Sequence, residues 1–183
     1  MSNELAIGII AAAAALAGAG IGAAGAVAAA RHAALGARYQ ADKQAAAQHQ
    51  QWLRQLLQKA YADFLAGATL NAGRIEEAFE KLDAGQNDRA LDLITSADHA
   101  SMATQLATLE VEAPDAVITA ARTFTILIAG ARQQVMEHLL AHQAGTPHDR
   151  ETLRSERARF HDALLTTHMA FLNAARASLR ADT

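Results

Sequence analysis

The sequence predicts an all-α protein, with an N-terminal transmembrane helix continuing into an antiparallel four-helix bundle. Three observations carry this expectation. Residues Ile7–Ala30 form an apolar run with no charged side chain. The only prolines are Pro114 and Pro147, each placed where a helix can begin. Alanine is abundant and aromatics make up only 4% of the chain, so composition favours helix over strand. Cysteine is absent, which excludes a disulfide framework, a thiolate nucleophile and Cys-based metal sites.

The opening run is the most informative stretch. As a helix, Ile7–Ala30 would reach about 36 Å, enough to cross a hydrocarbon layer of about 30 Å with some tilt. A secretory signal would begin with positive charge, whereas this chain begins Met-Ser-Asn-Glu-Leu. Glu4 precedes the run, and Arg31, Arg38 and Lys43 follow it. The positive-inside rule therefore places the N-terminus outside and the rest of the chain in the cytoplasm. The expectation is a single-pass protein of the cell membrane. Only Ile7, Ile9, Ile10, Leu16, Ile21 and Val27 are strongly apolar, so a lone helix inserts weakly. Ala14, Gly18, Gly22 and Ala26 recur every four residues on one face. Small residues at that spacing let membrane helices approach closely, which predicts a homo-oligomer through this face.

Charge divides the remainder of the chain. Residues 31–60 carry five basic side chains against Asp42, residues 61–115 carry three basic against eleven acidic, and residues 116–183 carry eight against six. The expected organisation is an Ala/Gly-rich transmembrane helix over 1–30, a basic juxtamembrane stalk over 31–51 and a cytoplasmic bundle over 52–183. Leu53, Leu57, Ala60, Phe64 and Gly67 follow a 4-3-4-3 spacing suited to helix packing, and Trp52 and Leu56 widen that face. "DAGQND", 83–88, reads as a turn in which Gly85 stops the first helix and Asn87 or Asp88 caps the next. A second helix is expected from Asp88 to Leu109, burying Leu91, Ile94, Met102, Leu106 and Leu109. Pro114 suits the first turn of a third helix that ends near Gln143. Thr146, Pro147 and Asp149 read as cap, first turn and capping-box position of a fourth. Its expected buried face includes Leu153, Phe160, Leu164, Leu165, Met169, Phe171 and Leu172.

"WLRQLLQKAYADFLAGA", Trp52–Ala68, carries a Trp, basic residues and then Tyr61, Phe64 and Leu65 as Tyr-x-x-Phe-Leu. "VEAPDAVITAA", Val111–Ala121, supplies a Pro-x-x-Val-x-x-Ala-Ala step. Together these resemble a group of uncharacterised actinobacterial proteins with one N-terminal span and a helical domain. The resemblance implies that layout and no activity.

Candidate chemistry is sparse. His138 and His142 lie four apart on one helix face, and a hairpin would bring His148 near them, a weak candidate metal cluster. No Glu follows the first His, so the zinc-protease pattern is missing. His161 and His168 share a face of the last helix. Glu76, Glu77, Glu80, Asp83, Asp88 and Asp92 match neither an EF-hand loop nor a di-iron Glu-x-x-His pattern, and read as a solvated acidic face. Arg150, Arg154 and Arg157 form a stripe interleaved with Glu151 and Glu156, expected to pair along their own helix. No phosphate loop, nucleophile elbow or dinucleotide fingerprint is present, and the basic stripe lacks the net charge and aromatics that nucleic acid binding needs. The sequence therefore points to a non-enzymatic protein without catalytic residue or cofactor, acting through the membrane, self-association or an unknown protein partner. Its rivals are a divalent-metal enzyme or sensor built on the histidines, and a soluble helical assembly protein.

Overall fold

The computed structural model describes residues 2–96, 99–146 and 149–181, with side chains described from Ala26 onward except Val27, Ala28, His99 and Ala181. Among the described residues the chain is all-α and has no strand. Its helices are α1 (Ser2–Asp83), α2 (Asn87–Thr95), α3 (His99–Glu112), α4 (Asp115–Gln143) and α5 (Arg150–Ala181). The chain divides into two units, Met1–Trp52 and Leu53–Thr183, and α1 contributes to both.

In the first unit, every described side chain, Ala26 and residues 29–52, is exposed. Lys43 places its Nζ 4.7 Å from the centroid of the Tyr39 ring. His49 stacks on Trp52 with ring centroids 5.8 Å apart. No described helix is long and apolar enough to cross a membrane. The expected span therefore gains no support there, and Ile7–Ala30 lies outside the described side chains except for Ala26, Ala29 and Ala30. Ala14, Gly18 and Gly22 are among those outside, and Ala26 is exposed.

The second unit is a helical bundle whose neighbouring helices run antiparallel. As α1 proceeds from Tyr61 to Asp83, its partners on α5 run back from Ser178 to Arg154. Phe124 of α4 faces His168 of α5, and His138 faces Glu156. Arg122 Nε donates to Glu110 Oε1 at 2.8 Å, closing the turn between α3 and α4. Arg74 donates to the Ser96 carbonyl at 2.6 Å, tying α1 to the end of α2. The core is built on phenylalanine: all five, Phe64, Phe79, Phe124, Phe160 and Phe171, are buried. Phe64 lies 5.1 Å from Phe171 and 6.2 Å from Phe124 between ring centroids, and Phe79 lies 6.3 Å from Phe160. Buried Ala68, Ala72, Ala78, Ala121 and Ala131 stand between the large rings. Small side chains at those sites let helices approach and large ones interdigitate.

The turns follow the glycines. Gly85 and Gly145 take φ of 73° and 76°, the left-handed conformation that costs glycine least. At each turn two amides reach back to the helix end: Gly85 to the Leu82 carbonyl and Gln86 to Lys81, then Gly145 to His142 and Thr146 to Ala141. Several boundaries differ from expectation. The second helix is interrupted after Thr95. At that end Thr95 Oγ1 donates to the Leu91 carbonyl and Ser96 Oγ to that of Leu93. Gln86, not Asn87 or Asp88, precedes the first turn of α2 and makes no side-chain cap bond. Pro114 precedes α4 in extended backbone, one residue outside the helix. Asp149 itself caps α5, its Oδ1 accepting from the Glu151 amide at 3.1 Å. Thr146 instead donates to the Ala141 carbonyl and closes α4.

Burial also corrects the expected faces. Trp52 is 55% exposed, and Leu165 and Met169 are 55% and 52% exposed. The buried stripe of α5 runs through Leu153, Phe160, Thr167, Phe171 and Ala175. Replacing Phe64 by Ala is expected to lower stability by about 3–5 kcal/mol, against less than about 0.5 kcal/mol for Trp52→Ala. Thermal and urea unfolding of the full-length variants measures both.

Candidate functional site

The histidines singled out in the sequence meet one end of the bundle. There the last turn of α1, the Gly85 turn, the start of α2, the end of α4 and the start of α5 enclose a cavity of about 190 Å³. Leu82, Asn87, His138, His142, Arg150 and Leu153 line it. His138 and His142 share a face of α4, yet their surroundings differ. His138 is 6% exposed, while His142 is exposed on the rim. His142 stands one turn nearer the end of α4, close to the Gly145 turn.

His138 Nε2 lies 2.6 Å from Glu156 Oε2, a contact that joins α4 to α5. The carboxylate fixes which face of the imidazole is engaged and holds the ring in one orientation. It also occupies the nitrogen that a metal would take from that side. Among the described residues no three His, Asp or Glu side chains are grouped so as to hold a metal ion. His148, the third member of the candidate cluster, lies outside the described residues. Glu156 is the residue that sequence reasoning missed. Its neighbours in sequence suggest pairing with the arginines of its own helix, although it stands between Leu153 and Phe160 at the 3-4 spacing of the buried stripe. A carboxylate at a core position signals a polar partner opposite.

A second polar feature runs along α1 and α5. Glu76 Oε1 lies 2.6 Å from His161 Nδ1, Glu80 pairs with Arg157, and Asp83 Oδ2 lies 3.0 Å from Arg154 Nε. The acidic face of α1 and the arginine stripe of α5 are thus partners across helices, not separate solvated surfaces. Lys81 and Glu77 form a looser pair at 3.7 Å within α1. His168 is half-buried against the Phe124 ring, 6.2 Å between centroids. Its environment is packing, in contrast with His161, which faces Glu76.

The Tyr-x-x-Phe-Leu stretch also has a structural place. Tyr61 is buried, its hydroxyl 2.9 Å from Ser178 Oγ, Phe64 is at the core centre and Leu65 packs partly against it. The chain is thus an all-α helical-bundle protein. Compared with known proteins, it matches no protein-family profile, no curated protein and no solved structure.

Loss of His138 leaves the Glu156 carboxylate, 18% exposed, without its imidazole partner. His138→Ala is expected to destabilise the protein by about 1–3 kcal/mol. His142→Ala is expected to change stability by less than about 0.5 kcal/mol, and Arg154→Ala by about 0–1 kcal/mol because that pair is solvated. Urea unfolding ranks the three variants, and an equal effect of the two histidines would contradict the distinction.

Proposed function

We propose that this is a membrane-anchored, non-enzymatic helical-bundle protein that acts by self-association. The observation that carries the reading is the exposed length of α1. Residues 29–53 are helical, and all of their described side chains are exposed. Leu35 and Tyr39 are 62% and 61% exposed. By helical spacing, Leu35, Tyr39 and Ala46 form one stripe of the first unit. Helices owe most of their stability to a packed apolar face, and an isolated helix is marginal in water. An uncovered apolar stripe of that kind is what a second copy of the helix would cover.

The membrane part rests on sequence: the length of Ile7–Ala30, its freedom from charge and the basic residues after it. The spacing of Ala14, Gly18, Gly22 and Ala26 gives self-association a second contact in the same helix. The C-terminal bundle then stands on the cytoplasmic side, where it would hold its position through the anchor.

Alkaline washing of membranes is expected to retain the full-length chain and to release a form lacking residues 1–30. In spheroplasts, added protease should leave a C-terminal tag intact. Recovery of the full-length chain in the soluble fraction overturns the anchor. Leu35→Glu combined with Tyr39→Glu should reduce cross-linked dimer in membranes by roughly tenfold, a loss of about 1.4 kcal/mol in association. Unchanged cross-linking in that variant overturns the self-association reading while leaving the anchor intact.

A further inference from the structure

The face between α3 and α4 holds a cavity of about 480 Å³, lined by Met102, Ala103, Thr125, Ala129, Arg132, Gln133 and Met136. That volume falls within the range of about 300–1,000 Å³ typical of small-molecule sites. Met102 is buried and Met136 packs partly against the core, so both wall residues are apolar and anchored. Methionine is unbranched and polarisable, and adapts its surface to flexible apolar ligands. Arg132 supplies the charge on this wall, and no carboxylate is among the lining residues.

Arg132 Nε is buried and makes no hydrogen bond. A buried donor left without an acceptor is unfavourable. Its neighbours are engaged elsewhere: Thr125 Oγ1 donates to the Ala121 carbonyl at 3.0 Å, and Gln133 Nε2 donates to Glu137 Oε1 at 2.9 Å. A guanidinium lining a hollow beside Met102 and Met136 suits a ligand with an anionic head and an apolar tail. Its planar fork matches a carboxylate, whose two oxygens accept parallel N–H bonds.

We propose that the α3–α4 groove binds an anionic amphiphile, an unbranched acyl chain of medium length whose carboxylate accepts from Arg132 and whose chain lies over Met102 and Met136. The site is independent of the self-association reading, because it uses only residues of the second unit.

The test is displacement of dansyl-undecanoic acid from full-length protein carried in amphipol, with amphipol alone as the blank. Saturable fluorescence should appear, and decanoate should displace it. Decanol should compete roughly tenfold less well, the equivalent of about 1.4 kcal/mol for the head group, and decyltrimethylammonium should not compete. Arg132→Leu should abolish the preference for decanoate over decanol while retaining binding of the chain. Ala129→Trp should fill the hollow and abolish both. Circular dichroism and the melting midpoint establish that each variant is folded, and Arg132→Gln provides a second head-group variant should Arg132→Leu fail to fold. A folded wild type without saturable binding overturns the proposal. So does a folded Arg132→Leu or Arg132→Gln that keeps the preference for decanoate, or a folded Ala129→Trp that binds as well as the wild type.

Discussion

Phe64 stands where three helices meet, and the arrangement of the bundle depends on that junction. Its ring touches Phe171 of α5 and Phe124 of α4, while Tyr61, one turn earlier, meets the edge of the Phe171 ring. These rings set the register of α1 against α5. With Phe64 opposite Phe171, Phe79 falls opposite Phe160, and the acidic residues of α1 arrive at the arginines of α5. A slip of one helical turn would carry Phe79 away from Phe160 and break each ion pair together. The pairs themselves are largely solvated and add little stability. Their contribution is to make the correct register the one in which apolar and polar contacts agree.

Much of the helix layout is legible in the sequence because its punctuation is local. Gly85 and Gly145 end helices through their own backbone conformation, and Pro114 precedes one because it lacks an amide to donate. The break after Thr95 is not legible in that way. Nothing there is a glycine or proline, and Thr95 makes the same backward bond that Thr123 and Thr125 make inside unbroken α4. The cap of α5 is ambiguous in the sequence for a related reason. Thr146 and Asp149 are both good caps, and only the path of the chain decides that Thr146 closes α4 while Asp149 opens α5.

Which face of α5 is buried is harder to read, because side-chain type and position disagree. Leu165 and Met169 are exposed while Thr167, between them, is buried. The stripe through Leu153, Phe160, Thr167 and Phe171 is set by the aromatic anchors, and the residues beside it take whatever exposure that phase leaves. Glu156 falls on the same stripe, which is why it meets His138 instead of the arginines around it. Periodicity within one helix identifies neighbours along that helix. It does not show that Glu80 and Arg157, far apart in sequence, answer one another across the bundle. Arg132 illustrates the same limit: in sequence it is a charge flanking an apolar run, and only the packing of α3 on α4 gives its guanidinium a hollow to face.

The cross-helix pairing also changes what kind of recognition suits this protein. Glu76, Glu80 and Asp83 would have formed the centre of an acidic surface for a basic partner, but each has a side chain of α5 beside it: His161, Arg157 and Arg154. A basic partner would have to displace His161, Arg157 and Arg154, recovering interactions of about the same strength as those it broke. The net gain from charge is therefore small at that seam. Apolar association has no such exchange to make. Leu35 and Tyr39 on the exposed helix, like the methionine-walled groove of the bundle, gain by leaving water without first separating an ion pair. The same register that satisfies the charges internally thus leaves recognition to apolar surface and to charge outside that seam, as at Arg132 beside the methionine-lined groove.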